Sequence, residues 1–334
     1  MIYYDEYGNR ENPTILMLHG AGALDTFSRR YCFSEKYHLV VPHLPGAGKA
    51  AGQVYEPEKT KQELYALISG LHKEKIGLIG HSLGGQIAVM LASEHPELFS
   101  FAFFLSAWVN PKPQTVQMYC SLAAMSAKML HWGRLVRIQG KYWNYTANQA
   151  KYMAEYSKQI TPQVYRPFFA NTLDLSTLPS YTAANLPMYA ICGSKEVKDM
   201  KTSLDLLAEN PHCKPMVLQK ANHDFPMRNA DELNMILAEV FTKHTHIRSA
   251  MQPVVYIWNL DDGGLSDIKR VSSIRTSCST VEFAEGLLNQ GIRFPDQKAY
   301  KAFWKEVDSF LTEQAVSDPI EAFLTRALIT DSIS

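Results

Sequence analysis

The chain reads as an α/β protein built on a mostly parallel, doubly wound sheet, with a helical insertion and a C-terminal appendage. Three observations lead there. From Thr14 to about Phe241, short continuous apolar runs alternate with longer amphipathic stretches. That rhythm breaks from about Val109 to Asn185, and it is complete before a tail that begins near Ile247. Alternating strands and helices are what a doubly wound sheet requires.

The strand-like runs fall at 14–18, 37–41, 76–80, 101–105, 188–192 and 216–218. Unbroken apolar runs of this length suit strands covered on both faces, as in a parallel sheet. Between them, Leu64, Leu67, Ile68 and Leu71 recur at helical spacing, and Ile87, Ala88, Leu91 and Ala92 do so before Pro96 ends the pattern. Asn229 followed by Glu232 has the form of a capping box opening a helix through Leu233, Ile236, Leu237 and Val240. These elements give a first domain over residues 1–246. The insertion, about 109–185, is helical and aromatic, with no strand-like run, and is expected to form a lid. The appendage, 247–334, starts on a strand-like run at 254–258 and a turn at 261–264, and continues with helices near 281–288, 298–311 and 319–329. Its role is not legible.

Composition narrows the partners. Basic and acidic residues cancel at 33 each, so the overall charge lends no support to a nucleic-acid partner or an anionic membrane surface. No run reaches the 18 or so apolar residues of a membrane span. The N-terminus has no basic and apolar leader, and the five cysteines are scattered without metal-site or disulfide spacing. The expected location is the reducing cytoplasm.

One motif carries chemistry. Gly80-His81-Ser82-Leu83-Gly84 lies directly between a buried strand and a helix. A turn this sharp strains the serine, and side chains two residues to either side would collide, so glycines belong at 80 and 84. The serine then projects above the sheet beside the positive end of a helix. With Gly85 included, this sequence resembles the nucleophile elbow of the α/β-hydrolase fold family. The resemblance covers about Thr14 to Phe241. His19-Gly20, at the end of an early strand, is similar to the family's oxyanion turn, and Leu44-Pro45-Gly46-Ala47-Gly48 to its L-P-G-x-G loop. Pro42-His43 departs from the aspartate that usually precedes that loop.

The resemblance implies a catalytic triad in the chain order serine, acid, histidine. It implies Ser82 as nucleophile and His223, in the loop before the last helix, as base. It also implies oxyanion donors at the amides of Ala21 and Leu83. The acid belongs at G-x-x-D/E after the penultimate strand, which here is Gly193-Ser194-Lys195-Glu196, so Glu196 is expected. Asp199 competes, but it also suits the N-cap of a helix starting near Met200. Asp224, adjacent to His223, diverges from it, and His81 is expected to support the elbow.

Other signals carry less. Gly46-Ala47-Gly48-Lys49-Ala50 lacks the spacing of a phosphate loop, and no dinucleotide fingerprint follows a strand. His244 and His246 end a helix, where imidazolium complements the dipole, and 261–264 lacks calcium-loop spacing. No cofactor and no metal is expected. The bulky residues of the insertion, among them Met118, Met125, Trp132 and Phe168, suit an acyl pocket and an ordinary core equally. The expected activity is hydrolysis of a small carboxylic ester or thioester through an acyl-enzyme. Acyl transfer, carbon–carbon cleavage or lyase chemistry on the same triad stays open, as does a non-catalytic binding protein on this scaffold. Oligomeric state is not encoded in any visible signal.

Overall fold

Apolar runs with no polar alternation need cover on both faces, and a parallel sheet between helices supplies it. The computed structural model describes residues 2–245 and two short strands further on. Its sheet contains β1 (Tyr4–Tyr7), β2 (Thr14–Leu18), β3 (His38–Pro42), β4 (Ile76–His81), β5 (Phe99–Leu105), β6 (Met188–Gly193) and β7 (Cys213–Leu218). The spatial order is β1-β3-β2-β4-β5-β6-β7, parallel throughout except for β1, which runs antiparallel to β3. The five strands from β2 to β6 are buried along almost their whole length.

The helices are α1 (Pro57–Gly70), α2 (Leu83–Glu94), α3 (Pro113–Ser126), α4 (Gly133–Tyr142), α5 (Ala147–Tyr156), α6 (Pro162–Tyr165), α7 (Pro167–Ala170), α8 (Ser180–Ala183), α9 (Lys198–Leu207), α10 (Phe225–Arg228) and α11 (Ala230–Thr245). Alternate residues of a strand face opposite sides, and β5 shows that both sides are covered. Ala102 and Phe104 join the core cluster with Ile87 and Ala88 of α2. Phe101 points the other way and stacks on Phe241 of α11, with ring centroids 5.4 Å apart. The insertion between β5 and β6 consists of α3–α8 with intervening 3-10 turns and no strand.

Two edges differ from expectation. β1 was not foreseen, because its Tyr-Asp-Glu-Tyr sequence is mostly polar and half-exposed, as an edge strand may be. β7 is longer than the apolar run at 216–218; it contains Pro215 and exposes three of its six residues, which only an edge strand tolerates. α11 starts directly after Asn229, with Glu232 in its first turn.

The topology fixes where a site can form. From β2 the chain passes outward to β3, then returns to the far side of β2 as β4. At such a switch point the carboxyl ends of adjacent strands open a crevice. Leu18 and Gly80 pair across it, so whatever follows β2 sits beside whatever follows β4.

Contacts divide the chain into units at 1–245 and 246–334. In the second, β8 (Val255–Ile257) pairs antiparallel with β9 (Lys269–Val271), with Tyr256 opposite Arg270. β8 falls within the strand-like run at 254–258. The turn at 261–264, the helices near 281–288, 298–311 and 319–329, and His246 lie outside the described residues.

The start of α2 has no slack. A Cβ on Gly84 would lie 2.0 Å from the Leu18 carbonyl oxygen, which is backbone and cannot yield. Gly84→Ala should therefore lower stability by about 3 kcal/mol or more, read as a depressed melting temperature. Gly70→Ala, where a Cβ meets nothing within 4 Å, should leave the melting temperature unchanged or raise it.

Candidate active site

β4 ends at His81 and α2 starts at Leu83, so Ser82 alone makes the turn between them. It does so at φ 55°, ψ −115°, a region that costs a non-glycine residue about 1–3 kcal/mol. The surroundings enforce it. A Cβ on Gly80 would lie 2.0 Å from the Gly84 carbonyl oxygen, so both positions must be glycine. Leu83 opens α2, and its N–H is one of the four that a helix leaves without an intrahelical acceptor.

After β2, the Ala23 N–H donates to the Gly20 carbonyl at 3.1 Å and closes a tight turn over Ala21 and Gly22. Gly22 sits at φ +67°, the conformation that this turn demands at its third position. The Ala21 N–H takes no part in closing it. A Cβ on Gly20 would be 3.5 Å from that of Ser82, so turn and serine are immediate neighbours. Buried His19 steadies the arrangement: its Nδ1–H donates to the Gly20 carbonyl at 2.7 Å, and its Nε2 accepts the Leu44 N–H at 3.1 Å. His43, where the family's aspartate is missing, accepts the Lys49 N–H at 2.9 Å and bonds Asp5 at 3.1 Å. It thereby ties the Leu44–Gly48 loop to β1.

His223 follows β7. Its Nε2 lies 3.0 Å from Ser82 Oγ, and its Nδ1 lies 2.7 Å from Glu196 Oε2. A carboxylate only accepts, so Nδ1 carries the proton and Nε2 is left to accept from the serine hydroxyl. Glu196, its side chain almost wholly buried, takes two more donors on Oε1: the Gly193 N–H and the Ser106 hydroxyl, each at 2.7 Å. Asp199 is elsewhere. Val197 occupies the cap position of α9, and Asp199 lies in the first turn, 3.4 Å from Lys112 Nζ. The expectation of an Asp199 cap is thus corrected, because α9 begins two residues earlier than its apolar pattern.

Three supports reach the site from distant parts of the chain: Ser106 and Arg30 were not legible in the sequence, and His81, expected to support the elbow, makes a contact that was not. Ser106, at φ +48°, leaves β5 so that its hydroxyl meets Glu196. His81 reaches past the elbow, and its Nε2–H donates to the His223 carbonyl at 2.9 Å. Fully buried Arg30 donates to the carbonyls of Pro226 and Ala230 and pins the segment after His223. Each joins residues far apart in the chain, so no local spacing announces them. His244 instead bonds the Tyr189 hydroxyl at 3.2 Å.

Residues 8–189 match the Esterase family model. The chain belongs to this esterase family. Over 94 residues the chain is 34% identical to the magnesium-chelatase 30 kDa subunit of Rhodobacter capsulatus, covering 27% of this chain and 33% of that one. Over 100 residues it is 34% identical to lipase 1 of Psychrobacter immobilis, covering 28% and 31%. It spans about a third of the length of each of these relatives. An esterase from Thermogutta terrifontis superposes with a TM-score of 0.58 at 16% identity, over 73% of this chain and 94% of that one. Such likeness establishes the α/β-hydrolase fold.

Charge in the site follows from burial. Burial raises the Glu196 carboxyl, but the His223 hydrogen bond and charge, with the donors from Gly193 and Ser106, outweigh it and hold it below its usual value. Burial lowers His19 to about 4 and His81, with the neighbouring His223, to about 3. Both are therefore neutral scaffold groups. Burial pushes Asp25 up to about 6, against the Gln149 hydrogen bond.

Two outcomes are expected. Between pH 6.5 and 4 the unfolded chain binds protons at His19 and His81 that the folded chain refuses, so stability falls as pH drops through this window. The loss approaches about 3 kcal/mol per histidine. Asp25 acts in the opposite sense: its contribution is full below 3.8 and fades as pH rises through about 6, so it offsets part of the loss. Melting temperature should still decline from pH 6.5 to 4.5, and a flat profile would refute the neutral assignment of the two histidines. Ser106→Ala should lower turnover roughly tenfold by removing one donor from a buried carboxylate, with KM for a soluble ester little changed.

Proposed function

We propose that the chain is a serine hydrolase that cleaves a small carboxylic ester or thioester through an acyl-enzyme. One observation carries the reading: an unbroken hydrogen-bonded line from Ser82 Oγ through His223 to buried Glu196, at 3.0 and 2.7 Å. Ser82 Oγ attacks the carbonyl carbon while its proton passes to His223 Nε2. Glu196 holds the imidazole tautomer and stabilises the cation that forms. Negative charge gathers on the carbonyl oxygen, and the amides of Ala21 and Leu83 are the donors for it. The imidazolium then protonates the departing alcohol or thiol. In the second half, His223 takes a proton from water, the resulting hydroxide attacks the acyl carbon, and the acid leaves as Ser82 recovers its proton.

Supporting the reading are membership of the esterase family, the strained serine at a helix start, and the neutral histidines that fix both flanking loops. The helices α3–α8, inserted between the strands that lead to Ser106 and Glu196, serve in this reading as the lid. No cofactor is called for.

A fluorophosphonate should label the protein at Ser82 and nowhere else, and Ser82→Ala should abolish labelling and ester turnover at unchanged melting temperature. Labelling that survives the substitution overturns the mechanism. Glu196→Gln should cut kcat on the order of 10⁴-fold, whereas Asp199→Ala should leave kcat within about twofold. Equal losses from the two would remove Glu196 from its role.

A further inference from the structure

A net charge of zero hides a strong segregation. From Leu98 to Ala154 the chain contains no aspartate or glutamate, yet it carries Lys112, Lys128, Arg134, Arg137, Lys141 and Lys151. Lys112 pairs with Asp199. The four cations from Lys128 to Lys141 are exposed and meet no carboxylate among the described residues.

Large apolar groups stand exposed in the same stretch. On α3, Met118, Leu122 and Met125 follow at i, i+4 and i+7, opposite the buried Cys120 and Ala123. On α4, Leu135, Ile138 and Tyr142 follow at i, i+3 and i+7, opposite the buried Val136 and Gly140. Between the helices, Trp132 and Met129 are 65% and 47% exposed. Taken around α4 at 100° per residue, Arg137, Lys141 and Arg134 fill the arc between its buried side and its outward apolar side. Among the described residues no helix is long and apolar enough to cross a membrane. An outward apolar stripe flanked by cations has the pattern of a helix that lies in a membrane interface.

We propose that the outer face of the insertion docks on an anionic phospholipid surface, with Trp132 and Ile138 entering the headgroup boundary and Arg134, Arg137 and Lys141 facing the lipid phosphates. Two copies of this face would repel through their like charges, which disfavours self-association. A nucleic acid would draw on the cations but leave Met125 and Ile138 in water. An anionic bilayer satisfies both halves of the surface at once. Docking would also touch the site mechanically, since Arg228 stacks on the Tyr142 ring at 4.4 Å and donates to its carbonyl at 2.8 Å, five residues after His223.

Co-sedimentation of the full chain with vesicles tests this. Vesicles containing about a third phosphatidylglycerol should bind it at least roughly tenfold more tightly than pure phosphatidylcholine, and high salt should remove the difference. Arg134→Gln with Arg137→Gln, and separately Trp132→Ala with Ile138→Ala, should each weaken binding to anionic vesicles roughly tenfold at unchanged melting temperature. No binding to either vesicle, equal binding to both, or binding untouched by both pairs of substitutions would overturn the proposal. Because the vesicle comparison uses the unaltered protein, it decides the matter even if a variant fails to fold, and it does not depend on Ser82 chemistry.

Discussion

The backbone contact between Gly84 and the carbonyl oxygens of Leu18 and His19 is the constraint on which the rest of the site depends. It forces the first turn of α2 against the end of β2, and this leaves Ser82 no room for an ordinary conformation. The same contact brings the Leu83 amide and the Gly20–Ala23 turn to one side of the serine. Had any side chain stood at position 84, the helix would withdraw from the sheet and the two loops would separate. Packing in a protein interior is close enough that a single methyl group decides such matters.

A second layer of order is polar and neutral. His19 and His81 are imidazoles kept without charge by burial, each spending one N–H on a backbone carbonyl. In place of charge they offer direction: one carbonyl belongs to Gly20 and the other to His223, so each loop of the site has its own clamp. Glu196 is the exception, a buried anion. Its three donors, from His223, Gly193 and Ser106, make it tolerable away from water.

The sheet from β2 to β6 was legible because burial on both faces leaves an unmistakable apolar run. The edges β1 and β7 were not, since a strand that faces water on one side keeps a polar sequence and can carry Pro215. The elbow announced itself through glycines whose absence of a side chain is a local necessity, and the spacing from Gly193 led to the carboxylate that faces His223. Asp199 misled because an acid near a helix start is a generic signal, satisfied equally by a cap or by a neighbour such as Lys112. Ser106, His81 and Arg30 make contacts over sequence separations of 90, 142 and 196 residues or more. Only the folded chain brings them near. Summing charge over the whole sequence concealed the basic stretch for a related reason: an average discards position.

The insertion leaves the sheet after β5 and re-enters at β6, and these strands are direct neighbours, with Leu105 opposite Ile191. The pairing is parallel, so the chain re-enters at Met188, three residues before Ile191, and its two ends are held about 11 Å apart, three residues along the strand and one strand spacing across, whatever lies between them. Closing a gap already fixed by the sheet costs little more for a long segment than for a short one. The exposed outer side of the stretch from α3 to α8 is thus free to change in length and sequence, while its inner residues Ile160, Phe168 and Tyr181 stay in one core cluster with Leu83 and Ile87 of α2. Evolution, or a protein engineer, can refashion that outer side and keep the elbow beneath it.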